Sequence, residues 1–188
     1  MSQKKAFIIH GWSGSPNNGF KPWLKSELEA RGYIVESPQM PNTDTPNMET
    51  WLPFLQNLIQ NPDEETILIG HSMGGAAVLR YLETLPEGTQ IKKAILVAPV
   101  VDFIKDMSEE EKQIATPWLV TPFDFEKVKR SAKEIIGFFS DNDKYIPLES
   151  EVTLREKCGA KTFIEHQKGH YSNSDGTKEV PQILETII

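Results

Sequence analysis

Residues 70–74 read Gly-His-Ser-Met-Gly, the G-x-S-x-G pattern that surrounds a nucleophilic serine. An apolar run at residues 66–69 precedes the pattern and a helical pattern follows it, so the serine is expected on a sharp turn between a strand and a helix. Glycines at such a turn let neighbouring backbone pass closely, and Ser72 would project at the carboxyl edge of a sheet. The pattern predicts that Ser72 is a nucleophile. A glycine-rich turn needed only for packing is the alternative.

A serine hydroxyl needs a base to become nucleophilic, and two histidines follow Ser72 in the chain. His170 lies in Lys-Gly-His-Tyr, after the last predicted strand, whereas His166 falls at the end of that strand. The loop position favours His170 as the base. The spacing of the two histidines would suit a metal only if a helix aligned both rings, and Gly169 argues against a helix there.

The base needs a carboxylate to orient it, and in this type of site the acid lies between the serine and the histidine in the chain. Residues 140–147, after an apolar run at 135–139, read Ser-Asp-Asn-Asp-Lys-Tyr-Ile-Pro. Asp141 and Asp143 both qualify. Asp141 opens the turn, where aspartate commonly accepts hydrogen bonds from backbone amides, so Asp143 is favoured as the acid.

Stabilising the oxyanion of a tetrahedral intermediate takes two backbone N–H groups near the serine. The residue after the nucleophile, Met73, supplies one in this type of turn. The other is expected from the loop after the first predicted strand, where residues 10–14 read His-Gly-Trp-Ser-Gly, and Trp12 is the favoured donor. An ordinary strand-to-helix turn is the alternative for this loop.

Continuous apolar runs at residues 6–9, 66–69, 94–98 and 135–139, with weaker ones at 33–36 and 161–164, are typical of strands covered on both faces. Helical patterns alternate with them, including one at 51–59, where Pro53 is tolerable only near the first turn, and one from 76 to 85. This alternation predicts a single α/β domain over residues 1–188, with roughly six mostly parallel strands and helices on both faces.

Composition narrows the function classes. The net charge of the 188 residues is −7, which argues against a nucleic-acid partner. The single cysteine, Cys158, cannot form an internal disulfide, and no apolar run approaches the length of a membrane span. We therefore expect a cytoplasmic protein that does not enter a membrane.

The chain resembles the small YdeN-like serine hydrolases, which are related to retinoblastoma-binding protein 9, within the α/β-hydrolase superfamily. The resemblance covers nearly the whole chain, and its middle segments are not general to hydrolases. It includes His10-Gly-Trp, Pro22-Trp-Leu-Lys25, Met40-Pro-Asn42, Trp51, the motif at residues 70–74, Asp143-Lys-Tyr-Ile-Pro147 and Gly169-His-Tyr171. It implies an α/β-hydrolase sheet without the superfamily's first two strands, and a triad of Ser72, Asp143 and His170.

Many members of the superfamily insert a lid where residues 100–134 lie, but this interval is short for a lid domain. Residues 108–111 read Ser-Glu-Glu-Glu, which predicts a capping box and a short helix. Residues 116–123 are apolar and interrupted by proline. Trp118 and Phe123 are expected either to line a substrate pocket together with Trp12 or only to cover the sheet.

These residues predict a serine carboxylesterase that hydrolyses small or short-acyl esters through an acyl-enzyme, with a small-molecule ester as its partner. The chemistry requires no metal and no organic cofactor. Hydrolysis of a thioester or a peptide bond is an alternative. A catalytically weak scaffold that serves as a protein-interaction module, with an unknown protein partner, is the alternative from another class.

Overall fold

The computed structural model describes residues 3–187 and is built around one six-stranded sheet. The strands are β1 Lys5–Ile9, β2 Ile34–Glu36, β3 Thr66–His71, β4 Ile91–Val97, β5 Ala132–Ser140 and β6 Lys161–Glu165. Their order across the sheet is β2-β1-β3-β4-β5-β6, and every neighbouring pair is parallel. The prediction of roughly six mostly parallel strands is confirmed, and the sheet is parallel throughout.

Helices connect the strands. They are α1 Lys21–Glu29, α2 Met48–Leu58, α3 Met73–Thr84, α4 Glu109–Val120, α5 Phe125–Ser131, α6 Glu149–Cys158 and α7 Pro181–Glu185. No helix within residues 3–187 has the length and hydrophobicity needed to cross a membrane.

Two helices begin earlier than the sequence pattern indicated. α3 starts at Met73 rather than at residue 76, because Gly74 of the serine motif and Gly75 after it are already helical. α2 starts at Met48, where the side chain of Asn47 accepts a hydrogen bond from the backbone N–H of Glu49. The expectation that Pro53 lies near the first turn is therefore wrong: it is inside the helix, and the carbonyl of Glu49 loses its intrahelical donor there.

The parallel strands bring their carboxyl ends to one edge of the sheet. Ile9 in β1 is level with Gly70 in β3, and His71 is level with Val97 in β4. Val97 is in turn level with Phe138 in β5. Because β3 is buried along its whole length, the serine that follows it sits at the centre of this edge, between loops from both sides.

The interval from residue 100 to 134 contains α4 and α5 and no separate lid domain. The predicted capping box is present: the Ser108 hydroxyl accepts from the backbone N–H of Glu111, and the Glu111 carboxylate accepts from the backbone N–H of Ser108. Upstream of α4, the N–H of Lys105 donates to the carbonyl of Tyr145 at 2.8 Å. That bond ties this stretch to the loop after β5.

Candidate active site

Ser72 occupies a strained turn between β3 and α3. Its backbone has φ of 56° and ψ of −121°, a region that residues with a side chain rarely adopt. A Cβ on Gly74 would lie 2.3 Å from the carbonyl oxygen of Ile9, and one on Gly70 would lie 2.5 Å from that of Gly74. Both motif positions therefore need glycine, and the packed backbone holds the Ser72 side chain out at the edge of the sheet.

The loop after β1 passes directly beside this serine. A Cβ on Gly11 would lie 2.8 Å from Cβ of Ser72 and 3.3 Å from its Oγ. Among the residues that the structure describes, the backbone N–H groups of Trp12 and Met73 donate to no protein acceptor. Both residues line the same cavity as Ser72, so two unused amide donors border the space in front of the hydroxyl.

The buried side chain of His10 holds the loop after β1 in place. Its Nε2 accepts from the backbone N–H of Met40 at 2.9 Å, so Nδ1 carries the proton and donates to the carbonyl of Gly11 at 2.8 Å. Burial lowers the pKa of His10, which matches this neutral form. The indole N–H of Trp12 also donates to the carbonyl of Asp44 at 3.0 Å, so two side chains hold the loop after β1.

Asp143 and His170 form a buried pair at this edge. Nδ1 of His170 lies 2.9 Å from Oδ2 of Asp143, and the Asp143 side chain is 1% exposed. The other carboxylate oxygen accepts from the backbone N–H groups of Tyr145 at 2.8 Å and Ile146 at 3.1 Å. The acid is held by its own turn, and because Nδ1–H donates to it, Nε2 of the imidazole is the nitrogen left to accept a proton.

Asp141 and His166 form a second pair on the surface. Nδ1 of His166 contacts Oδ2 of Asp141, with the His166 side chain 77% exposed. Oδ1 of Asp141 accepts from the backbone N–H of Gln167 at 2.9 Å. The bond from Gln167 and the His166 ring hold the pKa of Asp141 below its usual value. This carboxylate binds the loop, and the structure places it in no contact with His170.

The turn after β5 and the loop after β6 are joined residue by residue. Besides these two aspartates, the hydroxyl of Ser140 accepts from the backbone N–H of Lys168 at 2.9 Å. The side-chain oxygen of Asn142 accepts from the backbone N–H of Gly169 at 2.8 Å. Four consecutive side chains therefore hold the loop that carries the histidine.

Two further side chains fix the backbone of His170. Asp175 accepts from the backbone N–H of His170 at 2.9 Å and from that of Ser172 at 3.1 Å. His71 lies 2.8 Å from the carbonyl of His170 through Nε2, which must donate because a carbonyl only accepts. Burial, with the nearby His170 and Lys21, holds the pKa of His71 well below its usual value, so this ring is a neutral donor.

A cavity of about 390 Å³ opens beside Ser72. Ser72, His170, Trp12 and Met73 all line it. Its apolar lining comprises Val100, Ile104, Met107, Tyr145 and Ile146. The structure thus brings the serine, the histidine and both amide donors to one space large enough for a small ligand.

The structure does not bring Trp118 or Phe123 to this cavity, so their assignment to a substrate pocket is wrong. Trp118 is buried, donates its indole N–H to the carbonyl of Pro46, and packs against Trp51 with ring centroids 5.9 Å apart. Phe123 stacks on the guanidinium of Arg80 at 3.7 Å. Trp118 belongs to the core, the other role that the apolar pattern allowed, and Phe123 packs half-buried against it beside a second cavity.

Sequence reasoning missed Lys21 and Asp175. Lys21 is buried and lines the cavity, and its position three residues before Leu24 and seven before Leu28 was the available signal, because this spacing puts it on the buried face of α1. Nothing local marked Asp175, which acts through a loop contact five residues back.

Comparison with known proteins gives a consistent family. A family profile described as serine hydrolase matches residues 6–187. The chain is 29% identical to YdeN of Bacillus subtilis over 184 residues, 98% of this chain and 94% of that protein. It is 30% identical to the serine hydrolase RBBP9 of Rattus norvegicus over 177 residues, 93% of this chain and 90% of that protein. The crystal structure of the B. subtilis ydeN gene product superposes with a TM-score of 0.90 and 29% identity, covering 98% of this chain and 96% of that one.

Proposed function

The chain belongs to the serine hydrolase family and has the α/β-hydrolase fold, and we propose that it is a carboxylesterase whose triad is Ser72, His170 and Asp143. The observation that carries the proposal is the buried hydrogen bond between His170 and Asp143, 2.9 Å long, at a cavity that Ser72 also lines. Such a pair fixes the tautomer that a general base needs.

In the first step Oγ of Ser72 attacks the carbonyl carbon of the ester while Nε2 of His170 takes the hydroxyl proton. The imidazolium that forms is stabilised by the Asp143 carboxylate. The same proton then passes from His170 to the alcohol oxygen, the ester C–O bond breaks, and the acyl group remains on Ser72. Water deprotonated by His170 releases the acid and restores the serine.

The backbone N–H groups of Trp12 and Met73 bind the oxyanion that develops at the carbonyl oxygen. Their lack of a protein acceptor, within residues 3–187, supports this role. Donors fixed by a packed backbone need no rearrangement when the charge appears, and one such donor contributes on the order of 10²–10³ to the rate. The His10 hydrogen bonds to Gly11 and Met40 keep the first donor in position.

Small or short-acyl esters fit the proposal best. A cavity of about 390 Å³ is near the lower end of the range for small-molecule sites, roughly 300–1,000 Å³. Part of its wall is apolar, through residues such as Val100, Ile104 and Met107, which suits a short alkyl chain. The interval that forms a lid in larger relatives contributes only α4 and α5 here.

A fluorophosphonate probe tests the nucleophile. We expect the wild-type protein to be labelled and Ser72→Ala to remain unlabelled, because the probe bonds covalently only to an activated serine. An unlabelled wild type would contradict the proposal and favour a protein-interaction scaffold. Rates on p-nitrophenyl esters of increasing acyl length, beside a matched thioester and an aminopeptidase substrate, then test the bond type: the highest kcat/KM should be on a short ester.

A further inference from the structure

Lys21 is a buried cation at the cavity that contains Ser72. It is the first residue of α1, it is 4% exposed, and it lines the cavity. A lysine in such a position costs free energy unless something compensates its charge. The charge of the Lys21 ammonium group therefore needs a compensating partner.

Lys21 has no counter-ion in the part of the chain that the structure describes. No carboxylate among residues 3–187 forms an ion pair with it, and its Nζ lies over the ring of Phe20, 5.4 Å from the centroid. Burial lowers the pKa of Lys21 to about 8. The residue also starts a helix, the end at which the helix dipole disfavours a positive charge. The contact with Phe20 therefore compensates the charge only in part.

The cavity has a polar side around Lys21. A Cβ on Gly19 would lie 3.7 Å from Nζ of Lys21 and 3.7 Å from the backbone nitrogen of Asn173, so the loop after β6 reaches the loop after β1. Ser172, Ser174 and Asn18 line the cavity as well. These side chains are neutral, and the amide of Asn18 can donate a hydrogen bond to an anion, while the hydroxyl of Ser172 already donates to Asp175.

The side of the cavity next to β4 is mainly apolar. Val100, Ile104 and Met107 follow β4, and β4 and β1 flank β3 on opposite sides. Ser72 therefore lies between a polar, cationic side and a mainly apolar one. Lys105, Asp106 and Glu111 also line the cavity, but they are exposed, so water screens their charges.

We propose that Lys21 is a specificity-determining residue that selects esters carrying a carboxylate, with that carboxylate bound to its ammonium group and the apolar part of the substrate towards Val100 and Ile104. A singly charged carboxylate matches the single buried cation, whereas a phosphate dianion would leave a negative charge uncompensated. This inference rests on the proposed ester hydrolysis at Ser72.

Two matched substrate pairs test it. Mono-p-nitrophenyl adipate against p-nitrophenyl methyl adipate places the charge on the acyl side, and p-acetoxybenzoate against its methyl ester places it on the alcohol side. We expect wild-type kcat/KM to favour the anionic member of one pair by about tenfold to hundredfold, the range of a charge-assisted hydrogen bond. The preference should lie mainly in KM. A ratio near one in both pairs would overturn the proposal whatever any variant does.

Variants assign the preference to one side chain. Lys21→Met should bring the ratio of kcat/KM values to about one through KM, and Lys21→Arg should keep most of it. Lys25→Met, an exposed lysine on the same helix paired with Glu29 at 3.8 Å, is the matched control and should behave as wild type. A preference that survives Lys21→Met, or that is lost in Lys105→Met instead, would contradict the assignment.

Labelling of Ser72 by the fluorophosphonate probe separates the two failures. If the wild type is labelled and hydrolyses neutral esters but shows no anionic preference, the inference about Lys21 is wrong and the proposed function stands. If the wild type is neither labelled nor active, the proposed function itself fails. Labelling of the Lys21→Met variant would show that the site around Ser72 is folded. If this variant is not labelled, the substrate pairs are measured with Lys21→Gln instead.

Discussion

Two histidine–aspartate pairs lie within a few residues of each other at the same edge of the sheet, and they differ mainly in burial. The side chains of Asp143 and His170 are 1% and 12% exposed, whereas those of Asp141 and His166 are 36% and 77% exposed. The residue types are the same and the sequence separations are similar, 27 and 25 residues. Residue type and spacing therefore do not decide which pair can act as a base.

What separates the pairs is what each one faces. His170 lines the cavity with Ser72, and its partner is fixed by two backbone amides. His166 points to solvent, where water and salt weaken its attraction to the carboxylate. A buried pair keeps one geometry because few others are available to it, and an exposed pair gains little from the same contact. The following changes test that contrast.

The largest effect is expected for Asp143→Asn. An asparagine at this position can no longer hold the Nδ1–H tautomer of His170, so kcat should fall by on the order of 10³–10⁴, with a smaller change in KM. Steady-state rates on a short p-nitrophenyl ester measure this. Asp141→Asn is the matched control. A larger loss of kcat in this control than in Asp143→Asn would show that Asp141, not Asp143, is the acid.

A smaller loss is expected for Asp175→Ala, which removes the acceptor for the backbone N–H of His170. A shift of the imidazole by a fraction of an ångström should lower kcat by roughly 10- to 100-fold. Asp175→Asn keeps one acceptor oxygen and should recover most of the rate, while Ser174→Ala on the same loop should change little. Equal losses in the alanine and asparagine variants would show that charge, not position, matters at this residue.

The smallest effect on catalysis is expected for Asp141→Asn, with kcat changed by about twofold or less. Its effect should be on stability. Because the pKa of Asp141 is lowered in the folded protein, from 3.8, its stabilisation is present above that value and is lost as the pH falls through the lower folded pKa. Urea midpoints should therefore differ slightly between wild type and variant at about pH 7, and the difference should shrink as the pH falls below 3.8. A difference that persists in acid would contradict this reading.

The sheet could be predicted from sequence because buried parallel strands leave continuous apolar runs. The turn that carries Ser72 could be predicted because its strained backbone demands glycines at fixed positions. The turn at 140–143 narrowed the acid to two residues. The place of Asp141 at the start of the turn favoured Asp143, but the burial of Asp143 could not be predicted because it depends on a loop that follows β6. The pocket position expected for Trp118 was wrong for a similar reason, because an apolar stretch has the same pattern in a pocket wall and in a core. Its burial depends on distant residues such as Arg80, whose guanidinium donates to the carbonyl of Trp118 at 3.1 Å.

Five hydrogen bonds to the side chains of residues 140–143 fasten the loop that carries His170, and this attachment bears on how the candidate site would open under stress. Ser72 follows the inner strand β3, whereas His170 follows β6, an outermost strand that pairs only with β5. Edge elements open locally at a lower free energy than the whole domain. Detachment of β6 would therefore carry His170 away from Ser72 while the turn between β3 and α3 stayed intact, and we expect the site to open before the whole domain unfolds.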